Sequence, residues 1–162
     1  MYPFIPEGLF PITIGPAALG NTAVTEYINV SEAEMVWIVV QHNNVAATDQ
    51  VITPLKAYTA AGGGSAVLGF DVPIWYGTAV AGAALTLARQ TDAANLTTTA
   101  AAGVHIAIFQ IDPAALGTHA TLGEYKYLSC TCVGAVGDYQ TVTAWVKPRY
   151  QSDSIATTRW IV

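Results

Sequence analysis

The sequence predicts an all-β protein, an antiparallel β-sandwich or barrel of jelly-roll-like build. Three observations predict it. Short runs of β-branched and aromatic residues recur along the chain, Gly-rich turns separate them, and helix signals are sparse. Strands spaced by turn residues, without amphipathic helices between them, are the pattern of sandwiches and barrels rather than of parallel sheets.

Residues 1–23 carry Pro3, Pro6, Pro11 and Pro16. Proline removes a ladder donor, so this segment is expected to form an extended arm rather than a regular element. Met35–Val40 is apolar throughout, the pattern of a strand buried on both faces. Gln50–Tyr58 and Ala66–Tyr76 read as two more strands, and Ala60–Ser65 between them supplies the positive-φ glycines of a hairpin loop. Leu85–Arg89, Asn95–Thr99, Val104–Ile111 and Tyr125–Val133 follow. Tyr139–Val146 sets Tyr139, Thr141, Thr143 and Trp145 on one face and Gln140, Val142, Ala144 and Val146 on the other. Gly134–Asp138 is the turn before it. Asp112–Gly117 carries an N-cap Asp, a first-position Pro and a closing Gly, and reads as one or two helical turns. Its Pro-Ala-Ala-Leu-Gly string recurs at residues 16–20 and reads there as the same local turn. Pro148 stops the last strand, and a polar spacer then leads to Trp160-Ile161-Val162. The expected organisation is an arm (1–23), a sandwich (24–147) and a tail (148–162). The apolar residues of the arm and tail, Tyr2, Phe4, Ile5, Phe10, Trp160, Ile161 and Val162, are the candidate docking residues.

Charge bounds the function. Six basic and eleven acidic residues make up 10% of the chain, and 52% is apolar; about 25% charged residues is usual. A free monomer uses surface charge to stay soluble and apart from its copies. A chain this poor in charge gives much of its surface to neighbours and has little material for acid–base chemistry. Both points favour an assembly component over an enzyme. Lys56, Arg89, Lys126, Lys147, Arg149 and Arg159 are scattered and the net charge is −5, so nucleic acid is not an expected partner. The most apolar stretches are far shorter than the roughly 20 residues of a membrane-spanning helix, and a membrane is not expected either. The N-terminus has no positive n-region and does not read as a signal peptide.

No motif carries chemistry. Cys130 and Cys132 share a strand face at a spacing that strains a disulfide, and read as small buried apolar residues. His42, His105 and His119 lack the close pairing of metal ligands; His105 reads as a core or interface residue, and His42 as preceding an Asn43-Asn44 turn. Glu32 and Glu34 read as a solvated strand start. No Gly-x-Ser-x-Gly elbow occurs, and Gly62–Ser65 lacks the Lys of a phosphate loop. Trp37, Trp75 and Trp145 lie in strand runs, where core packing is the default, although aromatic residues also line carbohydrate platforms. No catalytic residue, cofactor or metal is expected.

Val51–Phe70, a strand, a Thr/Ala/Gly-rich turn and a strand ending in an aromatic, resembles a segment of small structural proteins of tailed bacteriophages. Thr25–Ser31 with Met35–Val40, Ile106–Leu116 and Trp145–Tyr150 resemble other elements of that family, in the same order. The likeness covers roughly residues 22–162, and its motifs are individually loose. The chain departs from the pattern in having fewer acidic residues around Asp112 and a longer proline-bearing N-terminal segment. The resemblance implies a capsid decoration (cement) or minor head protein, a virion component on the outside of the shell whose partner is the major capsid protein lattice. The expected assembly is a homotrimer clamped to the shell through the arm and the Trp160 tail. A minor capsid or tail component, and a carbohydrate-binding adhesion module, are the alternatives.

Overall fold

Alternation of inward and outward side chains builds two antiparallel sheets around one core. The computed structural model describes residues 10–19, 22–24, 26–45, 47–79, 84–135 and 138–149, with side chains from residue 26 onward. The strands are β1 (Phe10–Leu19), β2 (Thr22–Val24), β3 (Ile28–Asn29), β4 (Ala33–Asn44), β5 (Val51–Ala57), β6 (Ala66–Val67), β7 (Ile74–Ala79), β8 (Ala88–Arg89), β9 (Leu96–Thr97), β10 (Gly103–Ile111), β11 (Thr118–His119), β12 (Gly123–Glu124), β13 (Tyr127–Val133) and β14 (Asp138–Pro148).

The front sheet has the order β1-β14-β4-β10-β7-β8, and the back sheet β2-β13-β5-β6, with β3 also on β13 and β9 also on β5. Early strands pair with late ones in reverse order: β1 with β14, β2 with β13, β4 with β10, β5 with β6. That long ribbon is folded across itself, so β14 also meets β4 and β13 also meets β5. The result is a jelly roll, an all-β sandwich of interleaved Greek keys. Strands β7 and β8 extend its front sheet.

The front sheet turns Val36, Ile38 and Val40 of β4, Ala107, Phe109 and Ile111 of β10, and Val142, Ala144 and Val146 of β14 inward. Ile52, Leu128, Cys130 and Cys132 meet them from the back sheet. Lys56 ties the 3-10 turn at Pro113–Leu116 to this body. Its Nζ donates to the Leu116 carbonyl at 2.8 Å and lies 4.5 Å from the Tyr125 ring centre, and burial lowers its pKa.

Prolines account for several departures from the sequence reading. Residues 10–19, expected in an extended arm, form edge strand β1 along β14, with an irregularity between Thr13 and Gly15. An edge strand needs ladder bonds on one side only, so Pro11 and Pro16 are tolerated there. Pro54 lies within β5, paired with Cys130 on one side. On its other side β9 covers Val51–Ile52 and β6 covers Leu55–Lys56, so the missing N–H of Pro54 falls in the gap between two short strands. The Ala66–Tyr76 run is not one strand. Gly69, at φ +77°, and Pro73 break it as the chain crosses from the back sheet to the front.

Gly77 is required by close approach. A Cβ there would press on the Thr86 carbonyl oxygen and stand 3.0 Å from its carbon. The obstacle is backbone, which cannot swing away. Gly77→Ala is therefore expected to cost about 2 kcal/mol, in the range of overpacking strain. Urea denaturation measures it, and a loss below about 0.5 kcal/mol would contradict the close approach.

Candidate functional site

The front sheet's outward face is the most unusual surface. An antiparallel sheet with one face on the core usually turns polar residues outward. Here β4 turns out Met35, Trp37 and Val39, β10 turns out Ile106 and Ile108, β7 turns out Trp75 and β14 turns out Trp145, all half-buried. The register makes them contiguous. Trp145 is opposite Trp37, and a second row runs Thr143, Val39, Ile108, Trp75, Arg89. The Arg89 guanidinium lies 5.0 Å from the Trp75 ring centre and pairs with Asp92. At the other rim Lys147 pairs with Glu34 at 2.9 Å.

This arrangement corrects two readings. Met35–Val40 is buried on one face only, and the three strand tryptophans lie outside the core. Away from its polar end, the front sheet's inner rows are filled by Val, Ile, Ala and one Phe, and the bulkier indoles take the other parity.

Of the candidate docking residues, Phe10 opens β1 opposite Val146 of β14. Tyr2, Phe4, Ile5, Trp160, Ile161 and Val162 lie outside the described residues. Strand β1 begins opposite the end of β14, beside the Trp145–Trp37 pair.

Sequence reasoning missed a polar cluster inside the other end of the sandwich. His42 lies within β4 rather than before a turn, because the ladder to β10 continues through Asn43 and Asn44. Asn44 ends the strand: its Nδ2 donates to the Thr48 carbonyl at 2.7 Å. The register sets His42 against His105 on one side and Gln140 on the other. The imidazoles stack at 4.6 Å and 9°, exposed by only 2% and 0%. His105 Nε2–H donates to the Ala101 carbonyl at 2.8 Å, so its Nδ1 accepts from the Tyr76 hydroxyl at 2.6 Å. His42 Nε2 and both polar atoms of the Gln140 amide make no hydrogen bond among the described residues. Burial, then the neighbouring His105, lower the His42 pKa to about 4, against a smaller opposing pull from Asp138.

Asp138, fully buried, anchors this end. Its Oδ1 accepts from Val45 N–H at 2.7 Å, and its Oδ2 accepts from Ala135 N–H at 3.0 Å and from Gln50 Nε2–H. One carboxylate thus links both ends of the β4–β5 connection to the turn before β14.

No family model, characterised protein or solved structure matches the chain.

The structure also places the other candidates from the sequence. Cys130 and Cys132 are buried thiols in contact, Sγ to Sγ 4.0 Å, with no disulfide between them. The contact with Cys132 and burial raise the Cys130 pKa, which keeps it protonated. Glu32 and Glu34 are exposed at the start of β4. A cleft of about 300 Å³ beside the 3-10 turn, lined in part by Ser31, Thr118, Glu124, Lys126 and Arg149, mixes both signs of charge. Among the described residues no group of three or more His, Cys, Asp or Glu side chains is placed to hold a metal ion.

Proposed function

We propose that this protein is a structural, non-catalytic component of a virion, a decoration protein that seats on the major capsid protein lattice and stabilises the head. The observation that carries the reading is the apolar outward face of the front sheet on a charge-poor chain. Such a surface belongs against other protein. Neutral packing also avoids the cost of desolvating ions. Jelly rolls serve viral capsid and lectin domains alike, so the fold agrees with the reading without deciding it. Many identical contacts on one shell then add avidity.

The test is the copy number of the chain in purified particles that carry it. A simple ratio to the major capsid protein supports decoration. A handful of copies moves the protein to a tail or connector, and absence from particles overturns the virion role. Deleting residues 1–9 or 156–162 is expected to weaken binding to undecorated particles at least about tenfold with an unchanged circular dichroism spectrum. Deletion through residue 20 is a poorer test, since it also removes β1.

A second reading rests on Trp37, Trp75 and Trp145. Indoles on an open sheet face also suit stacking against sugar rings, as in a carbohydrate-binding module. Glycan binding by the purified chain, lost in Trp37→Ala, would favour it.

A further inference from the structure

We propose that the cleft beside the 3-10 turn is a binding site for a carboxylate, held by Lys126 and Arg149. The inference goes beyond the assembly reading and is tested without it.

The commitments of the other cations single out this cleft. Arg89 is paired with Asp92 and Lys147 with Glu34, and Lys56 donates to the Leu116 carbonyl. Lys126 and Arg149 form no ion pair among the described residues, and both line the same cleft of about 300 Å³. A chain of net charge −5 thus collects its uncommitted described cations in one concave place. Glu124 lies in the same lining and leaves the cleft with a single net positive charge. One carboxylate matches that charge. A phosphate group carries about −1.5 to −2 near neutral pH and meets more repulsion from Glu124. Ser31 and Thr118 bring hydroxyl groups to the lining, and Val30, Pro113 and Tyr125 bring carbon surface for the skeleton of an organic acid.

The backbone builds the walls. Val30 N–H donates to the Lys126 carbonyl and Arg149 N–H donates to the Glu32 carbonyl, each at 2.8 Å. Lys126 and Arg149 are thereby fastened to the two ends of one short span with Ser31 at its middle. Strands β11 and β12 set Thr118 opposite Glu124, and Tyr125 N–H donates to the Gly117 carbonyl at 3.1 Å. The Lys56–Leu116 bond fixes the 3-10 turn. A cleft already formed lowers the ordering cost of binding. Arginine and lysine hold carboxylates through charge-assisted hydrogen bonds. Both side chains are exposed, which keeps each ion pair weak and the affinity in the millimolar range.

The experiment is a titration of the full chain with sodium butyrate, followed by amide chemical shifts in low salt. Saturable shifts are expected around Ser31, Thr118, Lys126 and Arg149, with a dissociation constant on the order of 1 mM. Butylammonium, with the same tail and the opposite charge, and inorganic phosphate are expected to bind more weakly. Lys126→Gln with Arg149→Gln is expected to weaken butyrate at least about tenfold, and Glu124→Gln to tighten it about twofold or more. The walls hang on main-chain bonds, so these exposed side chains can be changed without removing them; an unchanged melting temperature checks this. No saturable shift at about 50 mM butyrate, equal binding of butylammonium, or an affinity unchanged in the double variant or in Glu124→Gln would each overturn the proposal. Phosphate binding as tightly as butyrate would overturn the carboxylate assignment. A free acid and an acidic side chain of a protein partner present the same group. Loss of binding to undecorated particles in the double variant would assign the carboxylate to the shell protein, and unchanged particle binding would assign it to a free acid. A chain that takes butyrate but is absent from particles would sink the virion role and leave this site standing.

Discussion

Asp138→Ala is expected to destabilise the fold by about 3 kcal/mol. A hydrogen bond to a charged group contributes about 1.5–3 kcal/mol, and removing one partner leaves the others to be desolvated without return. Asp138 is wholly buried and accepts from Val45 and Gln50, at the two ends of the β4–β5 connection, and from Ala135 in the turn before β14. Val45 is 60% exposed, so water recovers part of its loss, which keeps the estimate below the sum of three such bonds. For a chain of this length each kcal/mol lowers the melting temperature by roughly 2–4 °C, so a drop of about 6–12 °C is expected. Asp138→Asn keeps one acceptor oxygen and is expected to fall between. A melting temperature within about 2 °C of the parent for Asp138→Ala would show that the carboxylate is not the anchor described.

Acidification is expected to weaken the protein through His42. Its pKa stands at about 4 in the folded chain against 6.5 for an ordinary histidine. The unfolded chain therefore takes up the proton first, and stability falls as the pH drops from about 6.5 toward 4. Linkage puts the loss at about 2.5 kcal/mol by pH 4.5, relative to neutral pH. Burial is the larger cause, since an imidazolium stacked between β10 and β14 loses its water. The neighbouring His105 adds to it. Urea denaturation at pH 7.5 and 4.5 measures the slope, and His42→Gln isolates it. The variant is expected to lose most of the difference, and an equal acid sensitivity in parent and variant would place the titrating group elsewhere.

These two predictions draw on residues that the sequence presents very unevenly. Asp138 could be read only as the end of a turn. The His42–His105 pair spans 63 positions and became one stacked unit because β4 and β10 pair in a register that sets them opposite each other. Spacing in the chain holds no trace of that register. The strands themselves were largely legible. Val104–Ile111 is β10 but for one residue, and the parity read for Tyr139–Val146 is the one observed along β14. Parity did not tell which face would turn inward, because β4 carries large apolar residues on both. The core took Val36, Ile38 and Val40 and left Trp37 outside.

The two Pro-Ala-Ala-Leu strings mark the boundary most clearly. Residues 113–116 form a 3-10 turn and residues 16–19 lie in a strand. The first follows Asp112, whose side chain accepts from Ala114 N–H at 2.9 Å and closes the turn locally. The second follows Gly15, which has no side chain to offer such a bond, and the edge of β14 supplies the hydrogen bonds instead. By itself the sequence determined the all-β class, most strand positions, the capped turn after Asp112 and the shortage of charge, because these follow from local propensity and composition. The tertiary structure decided which strand faces become core, which prolines fall on edges or gaps, and which distant polar residues share a row. Those depend on long-range register, set by the collective burial of both sheets rather than by any short stretch of chain.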